Sequence, residues 1–147
     1  MTAPALLDVA VPMYAAGASH PYKAACGWIM TEITAGRLEV VINTETIQEA
    51  LHRHGSLKRH AEAVNVANDL LAIIPRVLPI EVPDVQRAVT LFQLYAPKGV
   101  PSRDLVHAAV MHNNGLTTLL SPDAHFDQIA GITRLDPLVL YQQAGSP

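Results

Sequence analysis

Four acidic side chains, Asp8, Glu49, Asp104 and Asp123, each stand where the local pattern passes from buried to exposed. Asp8 closes the apolar run Ala5-Leu6-Leu7, and Glu49 falls early in a helical stretch from Thr44 to His54. Asp104 opens a helix from Ser102 to Asn113, and Asp123 follows the apolar run from Leu116 to Leu120. Brought together by folding, they would form a cluster of hard oxygen donors of the kind that holds magnesium or manganese. A divalent ion so held lowers the pKa of a water and neutralises charge on phosphate oxygens, so a phosphodiester can be hydrolysed without a protein nucleophile. All four are expected as metal ligands, direct or through water, and as the catalytic groups. Each acid also has a structural reading. Asp104 after a Ser102 cap gains about 0.3 to 1 kcal/mol from the helix dipole, and Asp123 after Pro122 suits a turn. Glu49, like Glu45 four residues earlier, could line a solvated helix face. Asp8 has the weakest such reading, because a lone charge ending a buried strand is costly to desolvate without a partner or an ion.

The elements that must position these acids alternate between short apolar runs and longer amphipathic ones. A strand is expected at Ala5 to Leu7, and Tyr22, Ala25, Cys26, Ile29 and Ile33 recur at helical spacing until Gly36. Leu38 to Ile42 reads as a buried strand, and Thr44 as the cap of a helix that Gly55 ends. A helix from Leu57 to Ile74 is closed by Pro75, and Val77 to Val82 reads as a strand that Pro79 pushes toward an edge. Helices at Asp84 to Tyr95 and Ser102 to Asn113 precede strands at Thr117 to Leu120 and Ile132 to Leu135. This order predicts a parallel sheet covered by helices on both faces, with ligands gathering at the carboxyl ends of the strands, where Asp8 and Asp123 stand.

Composition narrows the function classes. The 147 residues make one domain, 1–147, and 50% hydrophobic content suffices for a core. A formal net charge of -3 lacks the basic footprint of a nucleic-acid binder, but four of the acids belong to the proposed site, and a bound divalent ion would invert the local field. The single cysteine, Cys26, excludes an intramolecular disulfide framework and suits a reducing compartment. Ala3 to Gly17 is apolar, but no Lys or Arg precedes it and Asp8 lies within it, so it does not read as a signal peptide. No run reaches a membrane span, and a cytoplasmic location is expected. The seven histidines do not form a structural zinc set: His52 and His54 point to opposite sides of a helix, and His107 and His112 are five apart. His125, two residues past Asp123, could meet a substrate phosphate or occupy a surface turn. An aspartyl nucleophile of the haloacid dehalogenase kind is disfavoured, because the second Asp of such enzymes is replaced by Ala10.

Leu6-Leu7-Asp8, Gln48-Glu49, Ser102-Arg103-Asp104-Leu105-Val106-His107-Ala108-Ala109, and Leu119-Leu120-Ser121-Pro122-Asp123-Ala124-His125-Phe126-Asp127 with Ile129-Ala130-Gly131-Ile132 resemble the motifs of PIN-domain nucleases. With His20-Pro21 and Gly27-Trp28-Ile29, the chain is most similar to VapC-type toxins of toxin-antitoxin pairs. The resemblance covers nearly the whole chain. It implies a three-layer α/β/α PIN-like domain with a mainly parallel central sheet, and selects Glu49 over Glu45. It further implies a magnesium- or manganese-dependent endoribonuclease acting on translation-related RNA, a homodimer, and a cognate antitoxin lying along helices such as the one bearing the Tyr22, Ala25, Ile29 and Ile33 stripe. The sequence departs from the family in placing Val9 and Ala10 where a Ser or Thr usually follows the first Asp. That departure is the one support for the alternative of a degenerate, non-cleaving PIN domain that binds RNA or protein.

Overall fold

The computed structural model describes residues 3–147. Five parallel strands form one sheet in the order β3-β2-β1-β4-β5. They are β1 (Ala5–Leu7), β2 (Val40–Asn43), β3 (Val77–Leu78), β4 (Thr118–Leu120) and β5 (Thr133–Leu135). Leu6 pairs with Val41 on one side and Leu119 on the other, which places β1 at the centre. Strand side chains alternate between faces, and the core divides accordingly. Leu6, Val41 and Leu119 join one cluster with Leu91, Tyr95, Leu105, Met111 and Phe126. Ala5, Leu7, Val40, Ile42 and Leu120 join the other with Val11, Cys26, Ile29, Leu70 and Ile74. The seven α-helices among the described residues are α1 (Ala10–Ala16), α2 (Lys23–Thr34), α3 (Thr44–Ser56), α4 (His60–Ile73), α5 (Val82–Tyr95), α6 (Ser102–Asn113) and α7 (Pro137–Gln143). The result is the expected three-layer arrangement with a parallel central sheet. No helix among the described residues is long and apolar enough to cross a membrane.

Several local expectations are corrected. The cap of α3 is Asn43 rather than Thr44: its Oδ1 accepts the Thr46 N–H at 3.2 Å, and Thr46 Oγ1 in return accepts the Asn43 N–H. Helix α4 begins at His60, not Leu57, because Lys58 adopts a positive φ of 56° that breaks the chain between α3 and α4. The strand foreseen from Val77 to Val82 ends at Leu78. Val82 instead opens α5 with Pro83 in its first turn, and the Asp84 carboxylate reaches back to accept the Glu81 N–H at 2.8 Å. Ser102 lies inside α6, whose preceding residue, Pro101, makes no side-chain cap. The stripe on α2 belongs to the core, since Ala25, Ile29 and Ile33 are buried. Cys26 is fully enclosed beside them, and burial, with the charges of Asp136 and Asp8, pushes its thiol up to about 12.

Candidate active site

The carboxyl ends of β1, β2 and β4 and the first turn of α6 converge at one end of the sheet. Asp8 follows β1 directly, and its own N–H continues the ladder to the Leu120 carbonyl at 3.0 Å. Its Oδ1 accepts the Ala10 N–H at 3.1 Å, so the carboxylate also closes the start of α1. Its Oδ2 accepts the Ser121 hydroxyl at 2.5 Å. That hydroxyl in turn accepts the Asp123 N–H at 3.0 Å. Ser121, fully buried just past β4, therefore supplies the hydroxyl that Val9 and Ala10 cannot, and ties the first acid to the last.

Asp104 projects from the first turn of α6 and is only 6% exposed. Its Oδ2 is buried with no hydrogen-bond partner among the described residues. Burial, then the charges of Asp123 and Asp8, push its carboxyl up to about 6. Asp123 is more open. Its Oδ1 accepts the His125 N–H at 2.9 Å and lies 2.8 Å from the His125 ring nitrogen Nδ1. Asp104, Asp123 and His125 each offer a ligand atom, and these atoms lie within 4.8 Å of one another.

Glu49 is placed differently from the other three acids. It is buried on α3, where its Oε1 is hydrogen-bonded to Nε2 of His107, one turn along α6 from Asp104. On the far side of the ring, His107 Nδ1 lies 2.8 Å from the Asn43 amide nitrogen. Because Asn43 Oδ1 is committed to capping α3, its Nδ2 donates to Nδ1, which leaves the neutral ring its proton on Nε2 for Glu49. Burial alone would lower the His107 pKa, but the hydrogen bond and charge of Glu49 raise it overall. Asn43 works against that rise, since a doubly protonated ring would set Nδ1–H against the amide donors. Glu49 Oε2 faces Arg53 at 3.9 Å, and a cleft of about 210 Å³ beside it is lined by Glu45, Gln48, His52, Arg53 and Arg103.

Arg134 on β5 holds the turn after β4. It donates to the Ser121 carbonyl at 3.1 Å and grips Asp127 through two hydrogen bonds of 2.8 and 3.0 Å. The structure thus gathers Asp8, Asp104 and Asp123 and sets Glu49 apart from them on His107, a ring that also feels the charges of Asp8 and Asp104. Sequence reasoning gave no role to Ser121, His107, Asn43 or Arg134. For Ser121 and His107 the signal was their place in the segments around Asp123 and Asp104, but no spacing rule announces the links that Asn43 and Arg134 make across the fold.

The PIN domain family matches residues 5–132. Ribonuclease VapC13 of Mycobacterium tuberculosis and a VapC ribonuclease of Mycobacterium bovis are each 37% identical over 131 residues, which is 88% of this chain and 98% of theirs. Among solved structures, the sarcin-ricin loop cleaving toxin VapC20 of Mycobacterium tuberculosis superposes with a TM-score of 0.74 at 17% identity, over 90% of this chain and 98% of that one. VapBC2 from Rickettsia felis, bound to a promoter DNA fragment, gives 0.68 at 14% identity over 91% and 100%. With the sheet order, the Ser121-bridged acids and an identity of this extent in hand, the chain belongs to the PIN domain family, among the VapC ribonucleases.

Proposed function

We propose that this chain is a magnesium- or manganese-dependent endoribonuclease, the toxin of a toxin-antitoxin pair, acting in the cytoplasm on RNA with Asp8, Glu49, Asp104 and Asp123 as its catalytic, metal-holding carboxylates. The observation that carries this reading is the orphaned Oδ2 of Asp104, buried beside the acids that raise its pKa. A buried acceptor without a donor costs about 1 to 3 kcal/mol, and a divalent ion is the partner that satisfies it and relieves the repulsion together. The donor set is all hard oxygen apart from His125, which fits such an ion.

When bound, the ion would supply the charge that neutralises phosphate oxygens and activates water. The chain's own residues do the positioning. Ser121 and the Ala10 N–H hold both oxygens of Asp8. The His107 ring, held between Glu49 and Asn43, fixes the Glu49 carboxylate in place, and carboxylates steadied in this way are what metal sites need. Arg53 and Arg103 at the rim of the adjacent cleft offer cationic partners for flanking RNA phosphates. The Ser121 hydroxyl on Asp8 supports the cleaving reading over the degenerate one that Val9 and Ala10 suggest.

The relatives named VapC and the VapBC assembly support an antitoxin partner. The α2 stripe is core, so the docking place moves to the apolar groove among Pro12, Ala15, Gly27, Met30, Val66 and Ile73. Asp104→Asn tests the enzymatic reading. It is expected to keep the fold and lose metal-dependent RNA cleavage, whereas cleavage at the wild-type rate would reduce Asp104 to a helix-start residue.

A further inference from the structure

We propose that His125 is a metal ligand of this site, and that its imidazole biases the site toward manganese over magnesium. The proposal rests on the metal-dependent reading above and concerns which ion the chain prefers. Three observations carry it. Asp104, Asp123 and His125 present ligand atoms within 4.8 Å of one another. Asp104 Oδ2 is buried with no hydrogen-bond partner among the described residues, and the Asp123 to His125 contact leaves it so. His125 Nδ1 and Asp123 Oδ1 stand 2.8 Å apart, about the 3 Å that separates adjacent donors on an octahedron of ~2.1 Å bonds. The backbone already favours this pose, because the His125 N–H is anchored on Asp123 Oδ1 and the ring needs no search to reach the site.

Donor chemistry then sets the preference. Magnesium binds oxygen and gains little from imidazole, whereas first-row transition ions accept nitrogen readily. Replacing one oxygen donor with a ring nitrogen shifts selectivity toward manganese. His125 is half-exposed, so the ligand lies on the open edge of the group, and changing it disturbs no core packing.

The test uses the full-length chain freed of metal with chelator and then titrated with Mn²⁺ or Mg²⁺ alone. Pulsed electron paramagnetic resonance of the Mn²⁺-loaded protein is expected to show coupling to a ring ¹⁴N, which disappears in His125→Asp. By calorimetry, the ratio of Mn²⁺ to Mg²⁺ affinity is expected to fall in His125→Asp. Using the ratio cancels the added negative charge, and a thermal melt verifies that the variant is folded. If nitrogen coupling persists in His125→Asp, or the ratio is unchanged while wild type binds both ions and cleaves RNA, the ligand role is overturned and the nuclease reading stands. If wild type binds neither ion, both fall together.

Discussion

At Asp104, burial and neighbouring charge both oppose ionisation, and this one carboxyl makes the metal-free protein sensitive to pH. Its folded pKa of about 6 lies above the ordinary value of about 3.9, so the native chain holds the proton more tightly than the unfolded chain does. The associated stability is complete below about pH 4 and is lost as pH rises through about 6. After discounting for solvent screening, the loss is on the order of 2 kcal/mol. In chelator, denaturant midpoints should therefore decline over that window for wild type and not for Asp104→Asn. A wild-type midpoint that rises there would move the strain elsewhere. Divalent ions compete with the same proton, so their affinity should weaken below about pH 6. An expectation of general strain among four acids could be formed from sequence. Its concentration at Asp104 could not, since it depends on which carboxylates find donors. His107 provides the complementary case. His107→Ala would leave Glu49 Oε1 and Asn43 Nδ2 without their ring partner, at about 1 to 3 kcal/mol for each. Urea unfolding should show a combined loss of about 2 to 6 kcal/mol, and Glu49→Gln in the same background should recover part of it. Simple additivity of the two variants would mean the residues are not coupled.

At the scale of elements, periodic and capped segments were legible and short apolar ones were not. The α2, α3, α5 and α6 segments carry helical spacing over 12 to 14 residues each, enough turns for a pattern to emerge. Helix α1 has seven residues, Ala10-Val11-Pro12-Met13-Tyr14-Ala15-Ala16, nearly all apolar and with a proline inside, so no amphipathic contrast marks it. Helix α7 did carry a signal, the Asp136-Pro137 pair, in which Asp136 Oδ1 accepts the Leu138 N–H at 2.9 Å. The α3 cap shows how one residue serves two elements. Asn43 ends β2, caps α3 and orients a histidine on α6. Asn43→Asp would preserve the cap but put an acceptor opposite His107 Nδ1, so the ring would be drawn to its doubly protonated form. Heteronuclear NMR of the ring nitrogens is expected to show the His107 pKa rising further in this variant. A titration identical to wild type would mean that Asn43 does not select the ring's protonation state.

For the whole molecule, the alternation of strands and helices was sufficient to foresee a parallel sheet, because only a helical crossover returns the chain to the same edge. The strand order follows from long-range register, such as Leu6 against both Val41 and Leu119, and no local pattern encodes it. The same limit applied to surfaces. The stripe on α2 became core, whereas Val85, Val89 and Phe92 on α5, at one-turn spacing, remain about half exposed. That face offers the apolar area for the homodimer that the family resemblance implies. Val89→Lys with Phe92→Lys is expected to shift the chain from dimer to monomer in sedimentation velocity while leaving its melting temperature within a few degrees. An unchanged sedimentation coefficient would place the dimer interface elsewhere. Co-expression with the product of a neighbouring gene should likewise give a complex in which RNA cleavage is suppressed, and a partner that elutes separately with activity undiminished would count against the antitoxin reading.

Cys26 gives the chain a built-in clock. It is the only thiol in the sequence and is wholly enclosed between α2 and the sheet, and its high pKa leaves almost no thiolate to react. Alkylation therefore waits for the molecule to open, and one label per chain counts each opening that exposes α2. Any bound ion or companion protein that favours the closed form will slow this labelling by the same factor that it deepens the native basin, so occupancy can be timed without RNA.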